Sequence, residues 1–126
     1  MPVSLPASLT GTITRFAGNG RKLGYPTANL TTKTSLKDGV YYGFANMGVY
    51  SHHPALIFIG TPTTVGDRGR RIEAWLLDIE DKDYYGLELK LDIRKYHRPN
   101  QTFDSVDELL VAMKADEATA RQWFQN

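Results

Sequence analysis

The sequence predicts a mainly β domain, an antiparallel sandwich or small barrel backed by one C-terminal helix. Three observations predict it. Short strand-like runs are separated by turns rich in Gly and Pro, with no helical period between them. One run, Leu87 to Ile93, alternates strictly between apolar and charged residues. After Ser105 the apolar spacing changes from two to three and four.

Residues 1–8 read as a leader or linker remnant, and residues 9–126 as the domain. Leu9 to Phe16 is the first strand-like run, rich in Thr and Ile. Gly39 to Ala45 is the second, and Ala55 to Ile59, a short apolar run ending at Gly60, is the third. Ile72 to Ile79 is the fourth. The fifth has the cleanest pattern: Leu87, Leu89, Leu91 and Ile93 alternate with Glu88, Lys90 and Asp92. Ser105-Val106-Asp107-Glu108 then reads as a capping box, with Ser105 as N-cap and Glu108 reaching back. Val106, Leu109, Leu110, Met113 and Ala120, continuing to Trp123 and Phe124, form the apolar face of a helix that packs on the sheet.

At 126 residues the chain is read as one domain with a real core. A formal net charge of +1, from 15 cations and 14 anions, argues against a generic nucleic-acid binder. The absence of cysteine excludes a disulfide framework and a thiolate metal site. No basic and apolar leader opens the sequence, and no run approaches the ~18 to 20 apolar residues of a membrane span. The expectation is a cytoplasmic protein with no membrane or nucleic-acid partner.

The segment Gly18-Asn19-Gly20-Arg21-Lys22-Leu23-Gly24-Tyr25-Pro26-Thr27-Ala28-Asn29-Leu30 stands out. A hydrophobic core has no use for that mixture, whereas a phosphate and a metal ion would use nearly all of it. Glycines let backbone N–H groups approach an anion, and Arg21 and Lys22 supply charge. Pro26 biases Tyr25 toward an extended backbone. On an extended chain Thr27 and Asn29 face the same side, and their oxygens suit one hard cation such as Mg²⁺. The segment is neither a P-loop nor a dinucleotide fingerprint, because no Gly-Lys-Ser/Thr closes it and no βαβ pattern surrounds it. The competing reading is a flexible surface hairpin.

Glu73 is the second candidate. On a strand it shares a face with Trp75, Leu77 and Ile79, and a carboxylate desolvated there becomes a competent general base near neutral pH. The alternative is a solvent-facing glutamate paired with Arg70 or Arg71. Trp75 reads as core. His52 and His53 read as a loop pair rather than a metal site, and His97 as solitary, since no His, Asp and Glu cluster has zinc-like spacing. Residues 96–103 read as the link between the last strand and the helix. Arg98 and Phe103 in that link suit a planar ligand with polar edges, although Phe103 also suits an anchor for the helix start.

Taken in order, these motifs resemble the riboflavin kinase family. The set runs from Gly11-Thr12-Ile13 through Gly18 to Leu30 with its Pro26-Thr27-Ala28-Asn29 core. It continues through Gly39-Val40-Tyr41-Tyr42-Gly43, Ile59-Gly60 with Pro62-Thr63, and Glu73 ahead of an apolar strand. Asp83-Tyr84-Tyr85-Gly86, Arg98-Pro99, Phe103-Asp104-Ser105 and the helix with Asp116 complete it, so that the resemblance covers roughly residues 9 to 124. Family members often carry Asn-Ile-Gly where this chain has Phe58-Ile59-Gly60, and Thr-His where it has Ala74-Trp75.

The resemblance implies a six-stranded antiparallel Greek-key barrel with a C-terminal helix. It implies phosphorylation of riboflavin at the ribityl 5′-hydroxyl by ATP with Mg²⁺, giving FMN and ADP. Carried over residue by residue, it implies that Gly18, Gly20, Arg21, Lys22, Gly24, Tyr25, Pro26, Thr27, Asn29 and Tyr84 bind ATP, with Thr27 and Asn29 serving the metal. It implies that Glu73 activates the hydroxyl and that Glu73, Arg98, Phe103, Leu109 and Met113 contact the flavin. Such modules occur in bifunctional FAD synthetases and as stand-alone enzymes, and the sequence is compatible with an excised module or a monomeric kinase. The rival reading is a non-catalytic flavin- or nucleotide-binding module on the same barrel.

Overall fold

The computed structural model describes residues 5–16, 28–31, 33–60, 71–79, 84, 86–101 and 103–125, without the side chains of 14–16, 31 and 106. Six strands and one helix make up the described chain. They are β1 (Ala7–Phe16), β2 (Ala28–Thr31), β3 (Gly39–Met47), β4 (Tyr50–Gly60), β5 (Arg71–Leu76), β6 (Glu88–Arg98) and α1 (Val106–Gln125). The strands close into one barrel in the order β1-β2-β5-β4-β3-β6, with every neighbouring pair antiparallel. Closure leaves no edge strand among the described residues. The helix is not long and apolar enough to cross a membrane.

Two apolar layers follow from strand alternation. The barrel interior holds Ile13, Leu30, Ile57, Ile59, Ile72, Leu89, Leu91 and Ile93, among others. The alternating run of β6 thus points its Leu and Ile inward, as its period predicts. The second layer lies outside the barrel. Val40, Tyr42, Leu56, Trp75 and Leu77 meet Met113 and Ala120 of α1, with Leu109, Trp123 and Phe124 packed at its margin. Trp75 is therefore a core residue beneath the helix. Ser105 caps the helix as expected, with the Glu108 N–H donating to Ser105 Oγ at 3.1 Å, but the reciprocal bond of a capping box shifts by one residue. The Glu108 carboxylate accepts from the Asp104 N–H at 2.9 Å, one residue beyond the N-cap.

The structure moves several boundaries. β1 starts at Ala7, with Ala7 opposite Ile93 and Ser8 opposite Asp92, inside the stretch read as a leader. β2 emerges from the end of the Gly-rich segment, where four residues are too few to show a period. β5 stops at Leu76 because the chain turns at Asp78, which adopts a left-handed φ of 59°. His52 and His53, expected in a loop, lie in β4. The His52 ring stacks on Phe44 at 3.8 Å, and His53 Nε2 bonds the Leu77 carbonyl.

The largest boundary change is at the end of β6. Tyr96, His97 and Arg98, expected in a connecting loop, are strand residues. Two register shifts against β3, between Val40 and Tyr41 and between Tyr42 and Gly43, break the period that would have marked them. Tyr96 turns inward to the barrel cluster, its ring edge-on to Tyr41 at 5.2 Å. His97 and Arg98 then both reach the helix, because a bulge places two consecutive side chains on one face.

Candidate functional site

β2 and β5 build the centre of the site. Ala28 and Leu30 on β2, and Ile72, Ala74 and Leu76 on β5, fill the interior. Strict alternation then puts Asn29 and Glu73 on the outer face. The two are direct register partners. Directly opposite residues of an antiparallel pair project to the same side with Cβ atoms about 4.5–5.5 Å apart. On the other flank of β5, Glu73 is the register partner of Phe58 on β4.

The row continues around the outer face. Phe58 is opposite Val40 on β3, and Val40 is opposite Arg98 on β6. Asn29, Glu73 and Arg98 thus lie on one transverse row. Arg98 is three strands from Glu73, so the two are not neighbours.

Burial sets the electrostatics of this row. Asn29 is 8% exposed. Glu73 is half-buried, and its carboxyl pKa is raised above the usual value, first by desolvation. Arg71, on the same face two residues earlier, opposes that shift. Desolvation outweighs the nearby cation in setting that direction.

Arg98 is committed to the helix. Its Nε donates to Asp116 Oδ1 at 2.8 Å and its Nη2 to Asp116 Oδ2 at 2.6 Å, while Nη1 donates to the Pro99 carbonyl at 3.0 Å. His97 Nε2 also meets Asp116 Oδ1, at 3.0 Å, and the imidazole stacks on Tyr42 at 4.7 Å. Asp116 itself is 3% exposed, so its charge is buried and answered by the Arg98 fork. His97 is therefore not solitary. Burial and the Asp116 charge push the Tyr42 hydroxyl pKa up to about 12.

The remaining predicted positions separate. Phe103 lines a groove of about 640 Å³ with Gln101 and the helix residues Asp107, Glu108, Val111, Ala112 and Ala115. Leu109 and Met113 belong to the apolar layer between α1 and the barrel. Tyr84 is buried in the barrel cluster, and its hydroxyl lies 3.4 Å from that of Tyr50. Gly18, Gly20, Arg21, Lys22, Gly24, Tyr25, Pro26 and Thr27 fall outside the described residues.

Sequence reasoning gave no site role to four contributors, although it named Asp116 and Phe58 among the motifs. Asp116 occupies the 109, 113, 116, 120 stripe of the helix, and a carboxylate on an apolar stripe signals a buried ion pair. His97 carried no such signal, because a bulge brings it to that carboxylate. Phe58 borders Glu73 only through strand register, which one sequence does not disclose. Asn100 donates from Nδ2 to the Ile59 carbonyl at 2.9 Å, a contact between residues far apart in the chain.

Comparison with known proteins adds an independent line. A family model described as riboflavin kinase, or flavokinase, matches residues 3–124. The riboflavin kinase of Mus musculus is 31% identical over 126 residues, covering 94% of this chain and 81% of that protein. A bifunctional riboflavin kinase/FMN phosphatase of Arabidopsis thaliana is 33% identical over 124 residues, covering 93% of this chain and 33% of that protein. The chain thus spans about a third of the Arabidopsis relative and four fifths of the mouse one. A solved Streptococcus pneumoniae structure, described as a macrolide-efflux protein, aligns with a TM-score of 0.79 at 30% identity, covering 94% of this chain and 39% of that one. The structure of riboflavin kinase from Trypanosoma brucei aligns with a TM-score of 0.72 at 22% identity, covering 94% of this chain and 80% of that one. It shares the fold.

Proposed function

The chain belongs to the riboflavin kinase family, and we propose that it transfers the γ-phosphoryl group of ATP to the ribityl 5′-hydroxyl of riboflavin, giving FMN and ADP. The observation that carries this reading furthest is the register pairing of Asn29 with Glu73, with Glu73 desolvated. In the proposed step the riboflavin 5′-oxygen forms a bond to the γ-phosphorus. The bond from that phosphorus to the β,γ-bridging oxygen breaks, and ADP leaves. Glu73 accepts the hydroxyl proton. A carboxyl with a raised pKa is suited to that task, because its proton affinity lies closer to neutral pH than that of a solvated glutamate.

Asn29 fits a hard divalent cation by donor chemistry. Its amide oxygen is a neutral hard donor, held on the outer face beside Glu73. Thr27, two residues earlier, is the second proposed ligand. Mg²⁺ bound there would neutralise charge on the ATP phosphates as it develops. Gly18, Gly20 and Gly24, with Arg21 and Lys22, are the proposed cradle of those phosphates. Tyr25 and Pro26 are the remaining proposed contributors to the nucleotide side; Tyr84, buried in the barrel cluster, would support it only through packing.

For the acceptor, Phe103 and its groove offer an apolar face to a flavin ring. Arg98 contributes by anchoring the strand end to Asp116, and Leu109 and Met113 by seating the helix. The proposed partners are accordingly riboflavin, FMN, ATP and ADP. Incubating the protein with riboflavin, ATP and Mg²⁺ and separating the flavins by chromatography tests the reading. FMN and ADP in equal amounts are expected; riboflavin that binds and is never converted would favour the non-catalytic module instead.

A further inference from the structure

The segment after β6 carries Phe103 to its groove, and one side-chain amide ties that segment back to the barrel. Asn100 Nδ2 donates to the Ile59 carbonyl at the end of β4, at 2.9 Å. The amide occupies space left by a missing side chain. A Cβ on Gly60 would lie 2.2 Å from Asn100 Nδ2 and 3.4 Å from its Cγ. Gly60 is therefore the seat of the amide as well as the end of a strand. On either side of Asn100 the segment has other ties. Arg98 is bound to Asp116 and to the Pro99 carbonyl, and the Asp104 N–H donates to Glu108. Ile59 follows Phe58, the register partner of Glu73.

We propose that Asn100 is a positioning residue: seated on Gly60 and bonded to the Ile59 carbonyl, it holds the Phe103 segment against the strand that borders Glu73, and so sets the acceptor relative to the Asn29–Glu73 pair. The inference rests on the reading of the Phe103 groove as the flavin side of the site. Orientation of this kind acts on the chemical step, because a small displacement of the acceptor hydroxyl removes the alignment that phosphoryl transfer needs. The expected effect is on the acceptor step, with the KM for ATP as the control.

Steady-state kinetics on Asn100→Ala, Gly60→Ala and the double variant test the seat. Asn100→Ala should lower kcat about tenfold, the scale of one lost hydrogen bond, with the KM for ATP unchanged. Gly60→Ala should do the same, because its methyl displaces the amide. In the Asn100→Ala background Gly60→Ala should cost nothing further, since no amide remains to be displaced. Asn100 is exposed, so its variant should melt within a few degrees of wild type and stay fully folded at the assay temperature. Wild-type kcat in Asn100→Ala, additive losses in the double variant, or losses matched by the fraction unfolded would overturn the proposal. A wild-type protein that forms no FMN would remove the functional reading and this inference with it. FMN formation by wild type with no effect of Asn100→Ala removes the positioning role alone.

Discussion

Asn29 on β2 and Glu73 on β5 are direct partners across the sheet, side by side on the outer face of the barrel rather than in its interior. The barrel interior is filled by Ile, Leu and Tyr side chains and has no polar pair of this kind among its described residues. A neutral oxygen donor and a desolvated carboxylate are thus adjacent on rigid strands, with Phe58 on the far side of the carboxylate. Strands hold such a pair more firmly than loops do.

Asn29→Ala should raise the Mg²⁺ concentration giving half-maximal FMN formation by about tenfold or more, the scale of losing a metal ligand or its support. Thr27→Ala should act in the same direction. The check is a Mg²⁺ titration of the initial rate at saturating riboflavin and ATP. An unchanged midpoint in both variants would exclude these two residues as ligands.

Glu73 also predicts a pH dependence of stability. Its folded pKa is raised, so the folded state holds this proton to higher pH than the unfolded state does. Below the unfolded value both states are protonated and Glu73 makes no difference. As pH rises through the ordinary carboxylate value toward the raised folded value, the unfolded state ionises first and the fold loses stability. Glu73→Gln should therefore be at least as stable as wild type at neutral pH, with the difference vanishing in acid. Urea unfolding of both proteins across that range measures it. The rate should show the same group, with kcat/KM rising through a value above the usual glutamate range.

Among the described residues two bidentate arginine–aspartate pairs tie the helix, and they should differ in weight. Asp116 is 3% exposed and holds Arg98, whereas the Asp78 side chain is 69% exposed and holds Arg121 with two bonds of 2.8 Å. Asp116→Ala strands a partly buried guanidinium and should cost about 3 kcal/mol. Asp78→Asn, which keeps a residue suited to the left-handed φ there, removes the charge from a solvent-screened pair and should cost less than about 1 kcal/mol. Chemical denaturation of the two variants separates them. Equal losses would contradict the assignment of Asp116 as the anchor.

Gly43→Ala should destabilise by about 2 kcal/mol or more through overpacking. A Cβ there would lie 2.1 Å from the Asp92 carbonyl oxygen on β6, so β3 and β6 must separate to admit it. A thermal melt reads the effect, and a wild-type midpoint would show that the strands do not approach so closely.

How much of this was legible in the sequence depends on which interactions are local. Alternation in residues 89–93 disclosed the inward face of β6, and the Ser105–Glu108 pair disclosed the helix start, because both are set by near neighbours. Leu87, read into the same run, precedes the strand and is exposed. The resemblance drawn from ordered motifs supplied what periodicity could not, including the sixth strand: β2 is too short to show a period of its own. The end of β6 was misread because two bulges break its alternation. Glu73 was singled out from its apolar face, and register then brought Asn29 beside it. Arg98, Leu109 and Met113 were chosen as ligand contacts, but in the structure their visible work is to seat the helix. Contacts such as Asn100 with Ile59 join residues about forty positions apart, and no local pattern announces them.

The most direct test is the single-turnover rate of FMN formation by wild type and Glu73→Gln at saturating riboflavin and Mg-ATP, with riboflavin binding measured in parallel by fluorescence. The wild type should convert its bound riboflavin. Glu73→Gln should bind riboflavin with similar affinity and convert it about 10²- to 10⁴-fold more slowly, the range expected for loss of a general base. Conversion at the wild-type rate would contradict the assignment of Glu73 as the base at the centre of the site.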